Sequence, residues 1–235
     1  MDLTPTARGV RDRLVRVYGA AADPARAAPM RAYMRDQFPF LGIPTPARRA
    51  LSREVRSGEP KPTGDDLRTG ALACWALPER EYQYFACDWL RRYAAVCTPG
   101  FLDTARTLIT TKSWWDTVDV LADHVVGDIV AAYPAAVSTM DSWLHEDDLW
   151  LVRTAILHQL SYKERTDTDR LFRYCLARAG HKDFFIRKAI GWALRQYAWT
   201  EPDAVRRFVA AHERELSPLS VREARKNLSS PAVPR

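Results

Sequence analysis

Apolar residues return at three- and four-residue intervals along almost the whole chain, the period of a helix with one buried face. Helices are expected over 6–21, 24–37, 46–57, 64–75, 79–95, 99–110, 113–132, 134–144, 148–161, 166–179, 183–198, 202–212 and 220–227. Pro, Asp, Ser or Thr stand at their N-terminal ends, where their side chains or fixed backbone angles favour a helix start. No stretch alternates apolar and polar positions for long enough to predict a strand. The pattern predicts an all-α protein.

Weak repetition runs through the same pattern. Leu90-Arg91-Arg92-Tyr93-Ala94 returns as Leu194-Arg195-Gln196-Tyr197-Ala198, and Val152-Arg153-Thr154-Ala155-Ile156 returns as Ile186-Arg187-Lys188-Ala189-Ile190. The separations are 104 and 34 positions, a repeat of about 34–35 residues that suits an α-solenoid of stacked antiparallel helix pairs (HEAT-like repeats), in which each pair needs its neighbour to cover its apolar stripe. A solenoid of this kind has a concave surface fitted to a long ligand, here expected to be basic. The most loop-like segment, 57–64, has similar helices on both sides, so one domain is expected over 1–228, with a frayed tail at 229–235.

Composition narrows the class. At 235 residues and 47% hydrophobic, the chain is neither disordered nor low-complexity. Its most apolar long stretch, 118–137, is broken by Asp119, Asp123, His124 and Asp128, so no membrane span is expected. The N-terminus has charges where a secretory signal needs an apolar run. Cys74, Cys87, Cys97 and Cys175 show no CxxC spacing and fall in apolar helical patterns, which reads as buried thiols in a reducing compartment, the cytoplasm. The net charge is +6, carried mostly by arginine, whose forked guanidinium suits phosphate. Base composition can also enrich arginine neutrally, so charge alone leaves the partner open.

The densest chemistry lies at Thr111-Lys112-Ser113-Trp114-Trp115-Asp116-Thr117-Val118-Asp119. Ser113 reads as a helix cap with Asp116 three residues on. Trp114, Val118, Leu121 and Val125 then form a buried stripe, and Trp115 lies one turn from Asp119 on another face. Trp192 follows Gly191, a residue that weakens a helix unless close packing or ligand approach requires it. Arg153 is a lone cation in a strongly apolar helix. Aromatic rings, a carboxylate and arginines together suit a ligand that is cationic beside something anionic. His124 and Asp128 have a metal-pair spacing, but nothing in the sequence completes a ligand set. Tyr33 fits core or groove equally well.

These runs carry a resemblance. Ala32-Tyr33-Met34, Phe40 to Arg49, Leu77-Pro78-Glu79-Arg80-Glu81, Thr111 to Asp119, the Arg153 segment, Phe184 to Tyr197 and Leu216 to Ala224 together resemble the AlkD-like family of bacterial DNA alkylation repair glycosylases, built from HEAT-like repeats. The resemblance implies excision of cationic alkylated purines, of the 3-methyladenine and 7-methylguanine type, from double-stranded DNA without rotating the base into a pocket. It implies Asp119 as the catalytic carboxylate, Trp115 and Trp192 as aromatic walls, and Arg153 as a cation on the DNA backbone. Tyr33, Lys112, Arg187, Lys188 and Arg195 are the further candidate DNA contacts. It implies no metal, no cofactor, no obligate protein partner and action as a monomer close to the nucleoid. A non-catalytic helical-repeat adaptor binding DNA or protein is the alternative; it would share the fold and charge without needing Asp119 beside Trp115.

Overall fold

The computed structural model describes residues 2–228. The frayed tail expected at 229–235 lies outside the described residues. All regular structure among the described residues is helical: α1 Pro5–Ala20, α2 Pro24–Tyr33, α3 Thr45–Arg56, α4 Gly64–Ala76, α5 Arg80–Arg92, α6 Leu102–Thr110, α7 Trp115–Leu121, α8 Gly127–Ala132, α9 Val137–Trp143, α10 Leu149–Leu157, α11 Thr168–Ala177, α12 Phe184–Tyr197, α13 Pro202–Ala211 and α14 Pro218–Arg225. None of them is long and apolar enough to cross a membrane. The all-α class is as expected, and the starts follow local chemistry. Thr4, Asp23, Thr63, Asp148, Asp167, Asp183 and Ser217 each accept a backbone N–H from the first turn of the helix they precede. Expected helix 24–37 stops at Tyr33 because Arg35 and Asp36 take positive φ angles of 53° and 56°, which end helical bonding.

The chain forms two compact units, Met1–Lys112 and Ser113–Arg235. Their boundary falls inside the run from Thr111 to Asp119; the loop-like 57–64 segment lies within the first unit. In the first unit α1 packs on α3 and α4, and α4 packs on α5 and α6. In the second, α10 packs on α7, α9, α11 and α12, and α12 packs on α13 and α14. Within each unit, this stacking of each helix on near neighbours in the chain lets short amphipathic helices share a core, the packing of an α-solenoid. Val152–Ile156 and its matching run Ile186–Ile190 lie in α10 and α12, which pack together.

All four cysteines are free and buried, as expected from their apolar settings. His158, just past α10, is 1% exposed, with Nδ1 2.7 Å from the Ala155 carbonyl, which it meets as a donor. Burial disfavours the imidazolium and pushes this histidine down to about 4. In the unfolded chain it takes a proton near pH 6.5, so acidification between those values favours unfolding, by on the order of 3 kcal/mol when complete. The urea midpoint is therefore expected to drop between pH 7 and pH 4.5, and to drop less in His158→Gln. An equal drop in both proteins would remove His158 as the cause.

Candidate active site

α7 begins one residue later than the Ser113 cap implies. Trp114 occupies the cap position with an extended backbone, φ −161° and ψ 157°, and no side-chain cap bond. The expected stripe is corrected accordingly: Val118, Leu121 and Val125 are fully buried, but Trp114 lies outside the helix. Extended geometry instead turns its indole into an aromatic cluster, 5.9 Å from Trp150 and 5.2 Å from Phe185. Residues 115–132 run as one helix interrupted by a π-turn at Ala122–Val126, whose extra residue shifts the register between its two halves. Trp115 and Asp119 therefore sit one turn apart on the half ahead of the shift, both partly exposed.

Asp119 does not face open water. Arg153 on α10 grips it with two parallel bonds, Nε to Oδ1 at 2.7 Å and Nη2 to Oδ2 at 2.9 Å. Arg153 is itself 3% exposed, and its Nη1 donates to the Phe185 carbonyl at 2.6 Å. One buried guanidinium thus ties α7, α10 and the start of α12 together. Loss of water pushes the Asp119 carboxyl above its ordinary range; the two Arg153 bonds oppose that push, and Asp116 and Asp123 reinforce it. Each Asp119 oxygen accepts one bond from Arg153, and a carboxylate oxygen has the capacity to accept a second.

The other sequence candidates divide. Trp192 is partly exposed on α12, the helix whose first turn supplies the Phe185 carbonyl. Lys188 and Arg195 lie on the same helix; each pairs with Glu223 of α14, at 2.8 and 2.9 Å. Arg187 donates to the His181 carbonyl at 2.8 Å. Arg153, expected on the DNA backbone, is placed by the structure first of all on Asp119. Tyr33 and Lys112 belong to the first unit. Tyr33 is 73% exposed, which takes it out of the core. Lys112 is pinned: its amine donates to the Leu77 carbonyl at 2.5 Å, and fully buried Arg80 donates to the Lys112 carbonyl at 2.8 Å. Burial and the Arg80 charge lower the Lys112 amine. Next to Arg80, the buried Glu81 carboxylate accepts the N–H groups of Leu41, Gly42 and Ile43 at 2.9–3.1 Å. Gly42 is required there, since φ is +89° and a Cβ would lie 2.0 Å from the Asp23 carbonyl oxygen.

Sequence reasoning gave no role to Phe185, Trp150 or Glu223, because their partners lie on other helices. His124 approaches Asp123 at 3.4 Å, and no group of three or more potential metal ligands gathers among the described residues. A cavity of about 490 Å³ opens between the C-terminal ends of α10 and α12, lined by Gln159, Lys163 and Trp199 among others and by none of the candidates.

A protein-family profile for DNA alkylation repair enzymes matches residues 15–228. The chain belongs to that family. A solved structure described as a predicted DNA alkylation repair enzyme from Enterococcus faecalis is similar over 89% of this chain and 98% of its own, with 34% identity and a TM-score of 0.80. Comparison with curated proteins gives no match. Membership of the DNA alkylation repair family gives the protein a role in repair of alkylated DNA, and the α-solenoid class is that of its solved relative.

Proposed function

We propose that this member of the family is a DNA glycosylase that hydrolyses the N-glycosidic bond of cationic alkylated purines in duplex DNA, without turning the base into a pocket. The observation that carries the reading is the Asp119 carboxylate, clamped by Arg153 yet partly open, one turn from Trp115 on a helix that packs with α10 and, through it, α12. A purine alkylated at N3 or N7 is positively charged and departs as a neutral base, so no acid need protonate it. The barrier falls when an anion stabilises the oxocarbenium-like sugar and orients a water, and Asp119 can do both. Indole faces add about 0.5–2 kcal/mol each toward the same developing charge. Ordinary purines leave poorly, so selectivity needs little recognition of the base itself.

The test is release of free base. Duplex DNA carrying 7-methylguanine is expected to lose that base on incubation with the protein, equally with and without EDTA, leaving abasic sites in an unbroken strand. Binding with no base released would favour the adaptor reading; strand scission abolished by EDTA would favour a metal-dependent nuclease.

A further inference from the structure

Glu223 is 2% exposed, yet three cations converge on it: Lys188 at 2.8 Å, Arg195 at 2.9 Å and Lys226 at 2.7 Å. Burial alone would push its carboxyl up, but the bonds from Lys188 and Lys226 outweigh that and hold it down at about 2. It stays ionised, and three positive charges around one negative leave a net excess of positive charge at the surface. Its seat is built by close helix packing. A Cβ on Gly191 would lie 2.5 Å from the Glu223 Cβ and 2.9 Å from the Ser220 carbonyl oxygen, so α14 can approach α12 this closely only over a glycine. The Ser220 hydroxyl donates to the Arg187 carbonyl at 2.8 Å and Asn227 to the Arg195 carbonyl at 3.0 Å, locking the two helices on both sides of that contact.

Lys188, Trp192 and Arg195 follow one another by four and three positions, so they share a face of α12. The partly exposed Trp192 is bracketed by two cations, one turn before it and one turn after, both held by the same acid. We propose that Glu223 is a positioning residue which, seated by Gly191, fixes Lys188 and Arg195 on either side of Trp192 so that each presents its remaining donors to the phosphates flanking the lesion sugar. The lesion sugar rests on the glycosylase reading, and the phosphate contacts on duplex binding alone. Long cationic side chains lose rotamer freedom when they dock on phosphate, and a buried acid that has already ordered them removes part of that cost.

The sign of one substitution tests it. By net charge, removing an acid tightens binding to a polyanion; if Glu223 positions the cations, its loss weakens binding. Glu223→Gln leaves cations that are themselves partly exposed and can be hydrated, so the fold is expected to persist. Binding of an unmodified duplex is followed by fluorescence anisotropy across a salt series, together with 7-methylguanine release, for the parent, Glu223→Gln, Lys188→Met and the double variant. Glu223→Gln is expected to bind roughly fivefold or more weakly, with a log–log salt slope shallower by about 1–2. Release is expected to slow roughly tenfold or more, as for a misplaced binding group. The effect of Glu223→Gln shrinks in the Lys188→Met background. A fold defect alone would not change the salt slope of the folded fraction. Equal or tighter binding with an unchanged slope, or simple additivity of the two substitutions, overturns the proposal. If Glu223→Gln does not fold, Glu223→Asp keeps the charge but shortens the reach, and the same slope criterion decides. Should the parent release no base while the binding changes appear as expected, the glycosylase reading fails and the positioning role on DNA stands.

Discussion

Asp119→Asn is expected to bind methylated duplex at least as well as the parent and to release 7-methylguanine slower by roughly 10²–10³-fold, the loss typical of one preorganised charge-stabilising group. Asparagine has nearly the same shape, so the difference isolates charge. At an effective dielectric of ~20, a carboxylate ~3.5 Å from the developing positive charge stabilises it by about 5 kcal/mol, and a guanidinium ~7 Å away offsets roughly half of that. What remains is a few kcal/mol, in line with the expected loss. Asparagine also turns an N–H toward Arg153 or leaves one of its bonds unmade, so a lower Tm is expected alongside. Assays well below that Tm separate the two effects. Because burial raises the Asp119 carboxyl, parental activity is expected to fall with acidification at a pH above the ordinary carboxylate range, as the carboxylate gains its proton. Release by Asp119→Asn at the parental rate would remove Asp119 from the chemistry.

Arg153→Ala is expected to have the larger effect on the fold. It strips the partner from a carboxylate whose side chain is 14% exposed and removes the side-chain donor from the Phe185 carbonyl. Breaking a buried pair from one side costs about 3–5 kcal/mol, a large share of the stability of an ordinary domain. Asp119 then regains its proton more readily, so the residual excision rate is expected to shift toward higher pH relative to the parent. The salt dependence of duplex binding distinguishes this role from a phosphate contact. If Arg153 serves Asp119, the slope of log affinity against log salt stays as in the parent; a slope shallower by about 1 would return Arg153 to the DNA backbone. Thermal unfolding and a pH–rate profile on the same preparation supply the other two readings.

Helix after helix was legible in the chain because the signals are local: a 3.6-residue apolar period and a Thr, Asp or Ser whose side chain reaches only two or three residues onward. Where the reading slipped, a local competitor won. The positive φ angles of Arg35 and Asp36 ended α2 early, and the extended backbone of Trp114 took the cap position from Ser113. Trp115 and Asp119 were legible as a pair because they lie one turn apart on one helix, and the specific runs around them carried the family. Arg153 was visible as an anomaly, a cation among apolar neighbours, but its use was not. Its partner is 34 positions away, and its third bond goes to a main-chain oxygen that has no sequence signature. Gly191 had two explanations in the sequence, close packing or ligand approach; the helix that fills the space beside it, α14, chose the first.

What the sequence determined by itself is therefore the all-α class, the positions of most helices and the carboxylate–indole pair, since each depends on contacts within a few residues. Tertiary structure alone decided which charges meet: Asp119 with Arg153, and Glu223 with Lys188, Arg195 and Lys226. Charge pairing between helices depends on how deeply they pack and which faces they turn to one another. That geometry is set by the combined packing of many side chains, and no spacing along the chain encodes it.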